Sequence, residues 1–260
     1  MRKYVRVFAF AARDQIVYMP AFLFRNIFFV VILFTFFSLW RVIFAGRAVL
    51  SGFTMVQLLW YLTFTETIEL SKSRSLFGIQ EEVKDGTVAV TLSRPYSYVL
   101  YHLMRALGES YVKMIPMLVV GFLLATLFVG PLPGYLAALP CGIVVIALGL
   151  LITNLWLIVI NLLSFWSEET MPYYWIVQKL IFILGGLFIP IDLFPQWLSG
   201  IARMLPFAFS AYWPSVTMVS FSIETFLTAL GGAVFYALAL GGLAAFLYGR
   251  GKRRICAQGG

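Results

Sequence analysis

Six runs of mainly apolar residues, at 22–44, 54–70, 112–130, 135–163, 174–195 and 226–248, leave few ways for this chain to fold. A helix rises about 1.5 Å per residue and a bilayer core is about 30 Å thick, so runs near twenty residues read as spanning helices. Composition supports this, because a 260-residue chain that is 62% hydrophobic, 12% charged and rich in Phe has too much apolar surface for a soluble globule to cover. The expected fold is an all-α membrane protein with six transmembrane helices. The 54–70 run is the weakest, since it contains Glu66 and Glu69, and the 135–163 run is long enough to tilt. The net charge of +8 is dispersed beside apolar runs, so no nucleic-acid partner is expected. Cys141 lies in an apolar run and Cys256 in the basic tail, which reads as two unpaired thiols.

Ahead of the first run, residues 1–20 mix Arg2, Lys3, Arg6 and Arg13 with apolar residues. That pattern suits an interfacial amphipathic helix, set off from the first span by Pro20, better than a cleavable signal peptide. Orientation follows from Lys and Arg. With both termini in the cytoplasm, sixteen of the 19 fall on or near the inner side, and only Arg41, Arg47 and Arg203 lie outside. Trp40, Trp197, Tyr212 and Trp213 then come near the outer interface, and Trp166, Tyr173, Tyr174, Trp175 and Tyr248 near the inner one. Trp60 breaks this pattern and should meet a neighbouring helix in mid-span.

The largest cytoplasmic loop is then 71–111. Within it, Phe77, Ile79 and Val83 alternate with Gln80, Glu81, Glu82 and Lys84 as in a short amphipathic helix, ended by Asp85 and Gly86. Thr87 to Arg94 is expected to be extended up to Pro95. Such a helix could dock a soluble partner or lie on membrane lipid. Glu81, Glu82 and Asp85 would be repelled by an anionic leaflet, while Lys72, Arg74 and Arg94 would be attracted.

Chemistry-bearing motifs are sparse. There is no G-x-x-x-x-G-K-[ST] phosphate loop, no H-E-x-x-H, no G-x-S-x-G and no C-x-x-C. The chain is therefore not expected to be an enzyme or to bind a metal or cofactor. His102 reads as a packed or surface histidine. Glu66 and Glu69 share a helix face, where they could relay protons or pair with Arg25, Lys72, Arg74 or Arg105. Proton relay would indicate a proton-coupled secondary transporter. A membrane-embedded lipid-modifying enzyme would need a polar constellation that the sequence does not supply.

Three separated stretches carry a family resemblance: SGFTMVQLLWYLTFTETIEL at 51–70, the Ile79-to-Pro95 segment with its Gly-Thr and LSRP, and IPIDLFPQWLSGIARMLPFAFSAYWP at 189–214. Together the chain resembles bacterial type-2 ATP-binding-cassette (ABC) exporter permeases over nearly its whole length. The resemblance implies a permease domain over 1–260 in the bacterial inner membrane. Its parts are the interfacial helix 1–20, spans one to four over 22–163, spans five and six over 174–248 and a cytoplasmic tail at 249–260. It also implies an outer re-entrant helical hairpin between spans five and six, two copies of an ABC ATPase carrying ATP and Mg, and a second permease, identical or homologous. Residues 76–94 would be the coupling helix, with Phe77, Ile79, Glu81, Glu82, Val83, Asp85, Gly86 and Arg94 as its contact set. The cargo would be hydrophobic or amphiphilic: a drug, lipid or apolar peptide.

Two features complete the reading. In the fifth run, Gly185, Gly186, Pro190, Asp192 and Phe194 interrupt the helix, and broken backbone at membrane depth must face protein or a water-filled pathway. These five are pathway or gate candidates. In the last run, Ala229, Ala233, Ala237, Gly241, Ala245 and Gly249 recur every four residues as a helix-packing stripe. Phe22, Phe24, Phe28, Phe29, Phe34, Phe36 and Phe37 line the first span and suit lipid, a partner permease or an apolar cargo.

Overall fold

A computed structural model describes residues 2–25, 27–167 and 169–258, without the side chains of Arg25 and of 255–258. Arg25 as a carboxylate partner, the thiol of Cys256 and the last two residues of the tail lie outside the described residues. Among these residues all regular structure is helical, apart from one isolated bridge between Leu50 and Phe53. In order the helices are α1 (Arg2–Val17), α2 (Met19–Arg25), α3 (Ile27–Ile43), α4 (Met55–Ser71), α5 (Gly78–Lys84), α6 (Val88–Leu92), α7 (Tyr98–Val129), α8 (Tyr135–Leu162), α9 (Met171–Leu184), α10 (Gln196–Met204), α11 (Tyr212–Val219) and α12 (Ile223–Gln258).

Four described segments are long and apolar enough to cross a membrane: Met19–Ile43, Tyr98–Val129, Tyr135–Phe165 and Ile223–Arg254. The other two expected spans also fall on helices, but α4 has 17 residues and α9 has 14. At about 1.5 Å per residue they reach roughly 26 and 21 Å, short of a 30 Å core. Helix α9 stops where the sequence breaks it, at Gly185 followed by Gly186 with φ +68°.

Helix α4 is the centre of the molecule. Thr54 and Gln57 start it with a capping box, the Gln57 N–H donating to Thr54 Oγ1 at 3.2 Å and the Thr54 N–H to Gln57 Oε1 at 3.0 Å. From Leu58 to Glu69 every side chain is buried. Trp60 meets Phe122 of α7 edge-on, with centroids 4.5 Å apart, and its indole N–H donates to the Gly130 carbonyl at 3.1 Å. That names the mid-span neighbour the sequence left open. Thr63 and Thr67 return their hydroxyls to the carbonyls of Leu59 and Thr63, at 2.8 and 2.7 Å, which hides polar atoms in an apolar core.

Around α4 stand α3, α7, α8 and α11, with α12 on the far side of α8. Close approach depends on glycine at two of these seams. A Cβ on Gly121 of α7 would come within 2.6 Å of Thr63, and one on Gly142 of α8 within 1.8 Å of Met218. Helix α11 is buried from Pro214 to Val219.

Two other expectations need correction. The loop expected over 71–111 ends at Ser97, which caps α7 by accepting the Leu100 N–H. His102, Arg105 and Glu109 interrupt the first turns of α7, so hydropathy places the span's start well inside a helix that has already begun. Residues 88–92 are helical rather than extended. Their β-branched run suggests a strand, but Asp85 takes the Thr87 N–H at 3.0 Å and its hydroxyl at 2.7 Å, and this local turn sets up α6.

The N-terminal helix and the end of α12 lie at the same end of the bundle as α5 and α6. Lys3 donates to the Pro95 carbonyl at 2.6 Å, the Ser97 N–H donates to Tyr4 at 2.8 Å, and Tyr248 stacks on Tyr98 at 5.5 Å. The aromatic belts are thinner than expected. Trp197 is exposed near one end, and Trp166, Tyr173 and Trp175 near the other, while Trp40 and Tyr212 are buried in the core.

Candidate coupling element and its surroundings

Helix α5 is set by its two ends. A single 3-10 turn, Ser75–Phe77, leads into it, and Gly86 with φ +77° turns the chain out of it, a conformation that suits glycine. The approach is held from below by Glu109 of α7. Its carboxylate accepts the Ser73 hydroxyl at 2.5 Å and the N–H groups of Arg74 and Ser75 at 3.1 and 3.2 Å, and pairs with Lys113. Asn154 of α8 accepts the Ser73 N–H at 3.1 Å and donates to Ser110 at 3.0 Å.

The inward face of α5 grips three parts of the bundle. Ile79 is fully buried, and Phe77 meets Tyr174 of α9 edge-on at 5.1 Å. Gln80 donates to Glu169 at 3.2 Å and accepts the Thr170 N–H at 3.2 Å, while Lys84 pairs with Glu169. The α8–α9 connection is thereby fastened to α5. Glu82 accepts the Tyr98 hydroxyl at 2.9 Å, and Tyr98 lies flat against Tyr248, so one carboxylate connects α5 to α7 and α12. His102, buried with its ring tilted against that of Tyr98 at 4.4 Å, sits 3.7 Å from Glu82 and is a packed histidine.

The outward face carries Glu81, Asp85, Ala89, Val90 and Arg94, all exposed. The expected contact set therefore divides. Glu81, Asp85, Gly86 and Arg94 are open to solvent, whereas Phe77, Ile79, Glu82 and Val83 turn toward the bundle. Burial pushes the Glu82 carboxyl above its ordinary value. The Thr87 hydroxyl holds Asp85 below its own, and the Lys84 ammonium does the same for Glu169. Glu109, Asn154 and Glu169 were missed from sequence, and Gln80 was read only as part of the polar face of the helix. Polar residues in or beside long apolar runs were the available signal, but their partners are distant in the chain.

Of the five pathway candidates, Gly186 is bonded to α4, and the others lie along the break that follows α9. Tyr61 donates to the Gly186 carbonyl and Thr65 to the Leu187 carbonyl at 2.7 Å, which satisfies backbone groups freed by the break. A Cβ on Gly185 would lie 2.3 Å from the Ile181 carbonyl. Pro190 is buried, Phe194 packs on the central core, and Asp192 pairs with Arg203 at 2.6 Å and accepts from Tyr212 at 3.1 Å. Within this chain the glycine end of the break is covered by protein, while Asp192 and Phe194 remain partly exposed. Of the two glutamates of α4, Glu69 pairs with Lys72 and accepts from Gln178 at 3.0 Å, while Glu66 Oε1 is buried without a hydrogen-bond partner.

Within this chain, only the start of the small-residue stripe is buried. Ala229 and Ala233 are buried, Ala237 and Gly241 are partly covered, and Ala245 and Gly249 are exposed. A helix turns about 100° per residue, so a four-residue repeat drifts about 40° per step and leaves the buried side. The packed face runs instead through Ala229, Ala233, Leu240, Ala244 and Gly251.

A family model described as ABC-2 family transporter protein matches residues 29–259. The chain belongs to that family. Comparison with curated proteins gives no match. As an ABC-2 family member, it is a multi-pass membrane component of a transporter, and membership implies work with an ABC ATPase. The matched residues begin in α3, so α1 and α2 lie outside them.

Proposed function

We propose that the chain is the permease subunit of an ATP-driven exporter, coupled through α5 and α6 to a separate ATPase. The observation that carries this reading is the two-faced character of α5. Its inner face is fastened to α7, α9, α12 and the α8–α9 connection, and its outer face is left open with Glu81, Asp85 and Arg94. A push on the outer face would reach several helices together, as a rigid-body rocking mechanism requires. In this reading α4 and α9 complete six spans, and both termini lie in the cytoplasm of a bacterial inner membrane. Two ATPase copies carry ATP and Mg, and a second permease, identical or homologous, completes the pathway. Helices α10 and α11 with the 185–195 segment form the outer hairpin, whose latch is the Tyr61–Gly186 contact. The exposed Phe24, Phe28 and Phe34 of α2 and α3 support a hydrophobic or amphiphilic cargo.

The test is charge reversal on the outer face. Glu81→Lys with Asp85→Lys should lower ATPase co-purification and transport while membrane insertion and helix content stay unchanged. Unaltered co-purification would remove the docking role.

A further inference from the structure

We infer that the cleft between α1 and α7 is a binding site for the phosphate headgroup of an anionic phospholipid. A cavity of about 470 Å³ lies there, and two facing rows of residues build it. Arg6, Phe10 and Asp14 follow one another at four-residue intervals on α1, and Tyr101, Arg105 and Glu109 do so on α7. The two helices run side by side. Tyr4 is bonded to the N–H of Ser97, Phe8 contacts Tyr111 at 6.2 Å, and a Cβ on Gly108 would lie 2.4 Å from the Phe8 carbonyl.

Charge is uneven along the cleft. Arg6 and Arg105 both line it, and neither forms an ion pair with a described carboxylate. Glu109 is already engaged by Lys113, Ser73 and two backbone N–H groups, and Asp14 sits eight residues from Arg6, about 12 Å along α1. The Arg6 end is therefore the cationic part of the cleft, although Arg105 also acts on the Glu82 carboxylate, and the rings of Phe10 and Tyr101 line it. Phe10 is 73% exposed, and Val5, Ile16 and Val17 on the same helix are exposed too, which is apolar surface suited to acyl chains beside the headgroup. Guanidinium groups fit phosphate oxygens in a bidentate manner. Ser75 and Glu109, which hold the approach to α5, belong to the same lining, so an occupied cleft would stiffen the base of the coupling element. The assignment to lipid, rather than free phosphate, rests on the reading above that α1 lies at the inner membrane surface. Arg6 lies outside the residues matched by the family model.

The test needs no ATPase, so its outcome is separate from that of the coupling proposal. The full chain is placed in phosphatidylcholine nanodiscs doped with phosphatidylglycerol, and the lipid retained on release is read by native mass spectrometry. The parent should retain phosphatidylglycerol in preference to phosphatidylcholine, and Arg6→Gln with Arg105→Gln should reduce that preference by on the order of tenfold. Arg253→Gln with Arg254→Gln, equal in charge but in the tail, should leave it intact. If the double variant fails to insert, Arg6→Gln alone, at an exposed position, should give a smaller loss. Equal retention by the parent and the cleft variants, or equal loss from the tail variant, would overturn the site. Displacement by inorganic phosphate without preference for phosphatidylglycerol would assign the cleft to a soluble ligand and overturn the lipid assignment.

Discussion

Helices α4 and α12 invert what hydropathy says about them. The 17-residue α4 carries two glutamates and three threonines and is the weaker spanning candidate, yet it is buried on all sides. The 36-residue α12 is long enough to span with ease, yet it packs along one narrow strip and exposes Phe235, Leu238 and Phe246. The difference teaches that hydropathy reports contact with lipid, not centrality. A helix surrounded by protein can hold polar side chains if neighbouring backbone accepts their protons, as Thr63, Thr65 and Tyr61 show. A helix surrounded by lipid cannot.

The comparison can be broken most sharply by truncating one side chain on each helix. Trp60→Ala should cost about 3–5 kcal/mol, because it removes both the Phe122 contact and the Gly130 hydrogen bond. Phe235→Ala on the exposed face of α12 should stay within about 0.5 kcal/mol. Reversible unfolding in mixed micelles, followed by circular dichroism, measures both. Equal losses would erase the distinction.

A smaller effect sharpens the α4 side. Tyr61→Phe keeps the ring but leaves the Gly186 carbonyl without its donor, at a cost of about 1–3 kcal/mol. Hydrogen exchange should rise in 185–189 and not in α12. On the α12 side, Ala233→Leu should cost about 1–3 kcal/mol through overpacking. At exposed Ala245 the same change should stay within about 0.5 kcal/mol, although both positions belong to one four-residue row.

Much of the helical framework was legible in the sequence. The run at 135–163 coincides with α8 to within a residue, because an uninterrupted apolar stretch leaves little choice of ends. The break in the fifth run was legible from Gly185 and Gly186. The start of α7 was not, since His102, Arg105 and Glu109 interrupt the otherwise largely apolar residues 98–110 and hide the helix from a hydropathy count. Within the coupling element, the helix and its glycine end could be read from local pattern, but its orientation could not. Glu82 and Glu81 are neighbours of one chemical type, and only the position of Tyr98 turns one inward. Likewise Gln80 finds Glu169 across 89 residues, a pairing that no local pattern encodes.

The central claim, that the outer face of α5 and α6 is a handle inside the cell, is tested most directly by labelling. Asp85→Cys, in a chain whose own cysteines are replaced by serine, is exposed to a membrane-impermeant maleimide. The account predicts no labelling in intact cells, labelling after permeabilisation, and protection when the ATPase is bound. Labelling in intact cells would place the handle outside and contradict the account.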